Sequence, residues 1–126
     1  MPDLASFLVM NAVVPASGAA TAMYIVPRGD TWELSQVSQQ ATSQSCQITD
    51  IRDSRGFHYG NISPANPLPL NTFQQLGQAG LGMQALPFPL HLEGDTVFYI
   101  DFKDTSAAQN TVSVIFAGKR TTGVGA

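Results

Sequence analysis

The side chains in this sequence that can do chemistry are few and poorly grouped. His58 and His91 stand apart, and neither has a second histidine or a flanking carboxylate at metal-sharing spacing. Cys46 is the only cysteine, so an intramolecular disulfide and a cysteine zinc site are both excluded. It reads as a small hydrophobe buried in a strand rather than as a reactive thiol. Asp50 with Asp53, and Asp101 with Asp104, have the spacing of carboxylate pairs that could share acid–base work. Each pair flanks a turn, where Asp is expected for local hydrogen bonding. No nucleophile elbow is present, and Gly77, Gly80 and Gly82 lack the helix and lysine that complete a phosphate cradle. Arg28-Gly29-Asp30 spells an integrin-recognition tripeptide, but a proline before it and a strand after it mark a turn. The expectation is a protein that is not an enzyme and holds neither metal nor cofactor.

Composition points the same way. The chain has 126 residues, suited to one domain able to bury roughly two-thirds of its unfolded surface. Charged residues are 12% of it, about half the usual share; Gln, Ser, Thr, Asn, Gly and Pro replace them. That mix is typical of β-rich chains and of subunits whose surface is covered by partners. A net charge of -3 and scattered basic residues disfavour a nucleic-acid partner. No run approaches the roughly 20 apolar residues of a membrane span, and Met1-Pro2-Asp3 is no basic signal-peptide start. The expectation is a chain made in the cytosol, soluble there and without membrane contact.

Those sparse groups must be positioned by strands. Leu4 to Val14 is apolar throughout and predicts a strand buried on both faces. Thr21–Val26, Trp32–Gln39 and Cys46–Arg52 alternate in the manner of further strands. Asp53-Ser54-Arg55-Gly56 fits a type I turn, with Phe57–Gly60 starting a return strand. Val97–Phe102 and Thr111–Gly118 are expected to form a closing hairpin through the loop Thr105–Asn110. Trp32, Phe98, Ile100, Val112, Val114 and Phe116 are the predicted core. Gly29-Asp30-Thr31 is echoed by Gly94-Asp95-Thr96, which predicts equivalent corners in two sheets.

Between the middle turn and the closing strands lies the most unusual stretch. Gly56 to Leu92 contains no Asp, Glu, Lys or Arg, yet it is broken by Pro64, Pro67, Pro69, Pro87 and Pro89 and rich in large apolar groups. It is expected to be an irregular, packed arm covering the sheet or a neighbouring subunit, since regular structure tolerates such breakers badly. Thr72 and Gln75 have capping-box spacing, so one or two helical turns fit there. The whole predicts an all-β fold: a jelly-roll-like antiparallel β-sandwich with one long irregular apolar loop. A single domain spans 1–126, with 1–6 as an N-terminal arm and 121–126 as a flexible tail.

Three segments, Ile48–Gly56, Ala85–Phe102 and Ala107–Arg120, carry the phrases ITDIRDSRG, ALPFPLHLEGDTVFYIDF and AAQNTVSVIFAGKR. Together they resemble small structural proteins of tailed-bacteriophage virions, most of all the jelly-roll cement or decoration proteins of phage heads. The resemblance implies a virion protein, assembled in the host cytoplasm, that binds the outside of a capsid and stabilises it. Collar or tail accessory proteins of the same virions are the alternative, and a carbohydrate- or ligand-binding sandwich is another, with Phe57, Tyr59 and Tyr99 as its platform. The partners expected are the major capsid protein and the chain itself, as a homodimer or homotrimer. The expected interface anchors are Phe73, Leu81, Met83, Leu86 and Phe88, because interface energy concentrates in a few large groups held away from water. Arg28, Lys119 and Arg120 are expected at its rim, adding salt-sensitive steering.

Overall fold

The computed structural model describes residues 3–73 and 83–122, with the backbone alone at 3–5, 87 and 88. Period-two alternation of apolar side chains builds β1 (Asp3–Val14), β2 (Ala19–Ile25), β3 (Asp30–Ala41), β4 (Cys46–Asp53), β5 (Leu68–Pro69), β6 (Gln84–Glu93), β7 (Val97–Asp104) and β8 (Asn110–Thr122). They form two four-stranded antiparallel sheets, the first in the order β1-β8-β3-β6 and the second in the order β2-β7-β4-β5. The chain is an all-β sandwich. β1 lies against β8, β2 against β7, β3 against β6 and β4 against β5. The two halves of the chain thus run alongside each other as one long antiparallel hairpin, rolled so that successive lengths fall in opposite sheets.

That roll corrects the expected closing hairpin. β7 and β8 belong to different sheets, so Thr105–Asn110 crosses the sandwich instead of joining neighbours. Facing corners meet. At one end Arg28 of the β2–β3 corner pairs with Asp95 of the β6–β7 corner at 2.9 Å, and the Asp95 N–H donates to the Val26 carbonyl. The echoed Gly-Asp-Thr phrases are therefore two corners packed against each other. A Cβ on Gly94 would stand 2.9 Å from the Pro27 carbonyl oxygen, which explains the glycine. Asp30 of the integrin-like tripeptide is buried and paired with Arg120, so it serves the corner. At the other end the Ser17 N–H donates to the Ser106 carbonyl. There buried Asp104 accepts from the hydroxyls of Ser45 and Ser106, and the Asn110 amide donates to the Ser43 carbonyl.

The interior between the sheets is apolar, and all six predicted core residues, Trp32, Phe98, Ile100, Val112, Val114 and Phe116, are buried. Phe98 meets Phe116 edge-on with ring centroids 5.9 Å apart. Other expectations change. The Gly56 N–H does bond the Asp53 carbonyl as the turn required, but Phe57–Gly60 is no strand; a single bridge, Arg52 with His58, follows it. Among the described residues the one helical piece is a 3-10 turn, Leu70–Thr72, with no side-chain cap. It ends at Thr72, the expected capping residue, and Gln75 of the expected capping box lies outside the described residues. β1 begins at Asp3 and β8 runs through Thr122, so most of the segment 1–6 and the start of 121–126 are strand.

The proline-rich arm contains regular structure after all. Gln84–Glu93 is β6, an edge strand, and its pairing with β3 breaks between Leu34↔Leu90 and Gln36↔Ala85. Residues 86–89, with both prolines, occupy that break, where no ladder hydrogen bond is lost to the missing N–H. The loop's midsection, 74–82, lies outside the described residues.

Candidate interaction surface

A two-layer sandwich has one interior, so a strand that is apolar on both faces must leave one face outside. β1 shows this. Leu8, Met10, Ala12 and Val14 point inward and are buried, while Phe7, Val9 and Val13 point out. This corrects the expectation of burial on both faces. The register places Phe7 beside Ala117, Val9 beside Ile115 and Val13 beside Thr111, so the apolar stripe continues from β1 onto half-buried Ile115 of β8. Its one polar interruption is tied down, with the Ser113 hydroxyl donating to the Asn11 side-chain oxygen at 2.6 Å. A shallow groove of about 480 Å³ crosses the same face, lined by Phe7, Glu33, Gln36, Met83, Ala117 and Lys119 among others. On β2, in the second sheet, Met23 and Ile25 also face out, next to Tyr99 and Val97. Phe7, Val9, Val13, Met23 and Ile25 are each between 51% and 70% exposed. Covering what remains exposed of one such side chain contributes roughly 1–2 kcal/mol, so the set is a substantial store of association energy.

A second apolar feature lies between the sheets. A cleft of about 610 Å³ is lined by Ile51, Tyr59, Ile62, Leu68, Phe73, Leu86, Leu90 and Phe116 with their neighbours. Tyr59 anchors one wall, its hydroxyl donating to Asp53 at 3.0 Å and its ring meeting Phe98 edge-on.

The carboxylate pairs read from spacing are separated by the strand period. Asp53 and Asp104 point inward, while Asp50 and Asp101 become neighbours across β4 and β7 on the outer face. Asp101 accepts from Arg52 at 2.8 Å and from the Thr21 hydroxyl, and Asp50 contacts His58 at 2.9 Å. Arg52 also lies over the Tyr99 ring at 4.3 Å. Burial would raise the Asp101 carboxyl, but its bonds from Arg52 and Thr21 outweigh that and hold it below the usual carboxylate range. Asp53 is held low in the same way, against its own burial, by Arg55, the Phe57 N–H and Tyr59. These are ion networks that join strands and fix a turn. Among the described residues no group of three His, Cys, Asp or Glu side chains is placed to hold a metal ion. Cys46 is buried, and burial first, then the Asp104 charge, pushes its thiol up to about 11.

The six expected interface residues whose side chains are described do not share one surface. Met83 and Lys119 line the outer groove together. Phe73 and Leu86 face the inner cleft instead, and Phe73 is buried with its carbonyl accepting from the Gln39 amide. Arg28 sits at the exposed corner with Asp95, and Arg120 is held by Asp30 over the Trp32 ring. Leu81 lies outside the described residues, as does the side chain of Phe88. Of the expected ligand platform, Phe57 lies under Arg55, Tyr59 lines the cleft and Tyr99 lies under Arg52. Sequence reasoning missed Phe7, Val9 and Val13, although a both-faces-apolar strand in a two-layer fold was the signal for them. Compared with protein-family models, curated proteins and solved structures, the chain matches none of them.

Proposed function

We propose that this protein is a non-enzymatic virion structural protein, a cement or decoration subunit that binds the outside of a tailed-phage capsid through the outer face of its first sheet. The reading takes the rolled-hairpin strand order as a jelly roll, the fold that the resemblance implies. The observation that carries it is the apolar stripe of Phe7, Val9, Val13 and Ile115 beside the groove of Met83 and Lys119. Monomeric surfaces rarely leave such a patch uncovered. The subunit holds its partner by burying these side chains, with Lys119 at the rim steering encounter.

The test uses virions depleted of the protein and the double variant Met83→Ser with Lys119→Glu. Both positions line the groove and neither is on β1, the free edge strand. The expected result is an unchanged melting temperature with occupancy lowered at least about tenfold in affinity. Normal occupancy by the folded variant would overturn the reading. A reconstruction of the decorated particle separates head from collar or tail. A second reading, a ligand-binding sandwich, is favoured by the 610 Å³ cleft. Saturable uptake of a fluorescent fatty acid, lost in Leu86→Lys and retained in the groove variant, would support it.

A further inference from the structure

The four sheet edges are guarded very unequally. The far edge of the first sheet, β6, carries Pro87 and Pro89 in a broken register, and the far edge of the second sheet, β5, is only two residues long. These are the devices that stop a β-edge from recruiting another strand. The near edges, β1 and β2, have none of them. From Leu4 to Pro27 the chain contains no Asp, Glu, Lys or Arg, and neither strand contains a proline. The pairing of β1 with β8 runs unbroken from Asp3 to Val14, and that of β2 with β7 from Ala19 to Ile25. So β1 is twelve residues long, regular and uncharged beyond Asp3, with β8 its one strand partner among the described residues.

We infer that this side of the sandwich is a self-association surface, on which β1 pairs antiparallel with β1 of a second copy so that two first sheets continue as one. A bare strand edge offers backbone N–H and C=O groups that another strand satisfies in register. The second copy is the fitting occupant because β1 is its own complement. Antiparallel pairing about a two-fold axis sets the outward Phe7, Val9 and Val13 against the same row of the partner, an arrangement of aromatic and β-branched cross-strand pairs. A different partner selected by charge would need complementary charges here, and β1 and β2 supply none beyond Asp3. Area agrees as well. The twelve-residue edge of β1 is about 40 Å long and the seven-residue edge of β2 about 23 Å, each about 10 Å across, giving roughly 600 Å² per copy, the lower end of the standard interface size. The inference shares with the proposed function the premise of an assembly subunit and the outward Phe7, Val9 and Val13, but it concerns the free protein and the backbone edge of β1.

Sedimentation velocity on the free protein at about 50 µM tests it. The wild type is expected to sediment as a dimer. Val9→Lys with Val13→Lys, both at exposed positions, is expected to weaken association at least about 100-fold by setting like charges across the seam. Single cysteines give a readout independent of that variant's folding, since Cys46 is buried and unreactive. At least one of Phe7→Cys, Val9→Cys and Asn11→Cys should form a disulfide with its own copy, while Thr111→Cys, one strand further in, should not. A monomeric wild type, an unchanged mass for a folded lysine variant, or linkage at Thr111→Cys with none on β1 would each overturn the inference. Dimers that fail to bind particles would remove the proposed function and leave this inference standing; monomers that bind them would do the reverse.

Discussion

At the residue scale, several positions are set by contacts that a one-atom change would break. Gly118 lies where β8 crosses the irregular part of β3; an added Cβ would stand 2.0 Å from the Glu33 carbonyl oxygen and 2.8 Å from the Leu34 Cα. Backbone cannot yield there without moving both strands. Gly118→Ala is expected to destabilise by about 1–3 kcal/mol, the usual range for overpacking, measured by chemical denaturation; a wild-type midpoint would show that the strands separate easily. Three carboxylates make a different prediction. Asp53, Asp101 and Asp104 are held below the ordinary carboxylate range because hydrogen bonds from Arg55, Arg52 and the Ser45 and Ser106 hydroxyls outweigh burial, which alone would raise them. Lowered folded-state values mean that their stabilisation is complete above the unfolded value of about 3.9 and is lost as pH falls through the folded values. Stability contributed by these groups should be level from neutral pH down to about 5 and fall below about 4. An acid titration of the denaturation midpoint checks this.

At the element scale, β1 is a strand with two unlike faces. Leu8 and Met10 are core residues, and truncating either to Ala should cost about 2–5 kcal/mol by leaving a cavity. Phe7 directly precedes Leu8 in sequence but lies outside the core, so Phe7→Ala should change the stability of the dissociated subunit by less than about 0.5 kcal/mol. Denaturation at concentrations low enough to hold the lysine-edge variant monomeric makes the comparison; equal costs at Phe7 and Leu8 would mean that the outer face is covered within the subunit. β6 teaches the complementary lesson. Its prolines are compatible with a strand because they fall at an edge and in a register break.

At the scale of the whole molecule, the rolled hairpin ties distant parts of the chain together, so the core should open as a unit. Cys46 reports on this opening from the interior of β4. Its burial and its thiol pKa of about 11 predict that a thiol reagent labels it only as fast as the sandwich unfolds. Rapid labelling of the native protein would show a locally open second sheet. Phe116 touches the inner cleft and packs against Phe98, and Phe116→Ala should speed that labelling while costing about 3–5 kcal/mol.

The sequence by itself determined the all-β class, most of the strands outside the proline-rich arm and six residues of the core, because period-two alternation between turn residues is a local signal that any sandwich must satisfy. Trp32, Phe98, Ile100, Val112, Val114 and Phe116 were legible as interior for that reason, and Cys46 as a buried hydrophobe. It could not decide which sheet each strand joins. The loop Thr105–Asn110 has the length of a hairpin and serves as a crossing, since only packing between layers distinguishes the two. Nor could it divide the apolar residues between core and surface. Leu8 and Phe7 are alike in hydrophobicity, and one is buried only because β1 closes a single interior with β8 beside it. Met83 and Phe73 read as members of one arm, yet they lie on different sides of the first sheet, because β6 is held against β3 through a break that sequence spacing does not reveal. The edge strand with its exposed row of Phe7, Val9 and Val13 is a product of strand order, which arises from long-range pairing and is fixed by the tertiary structure alone.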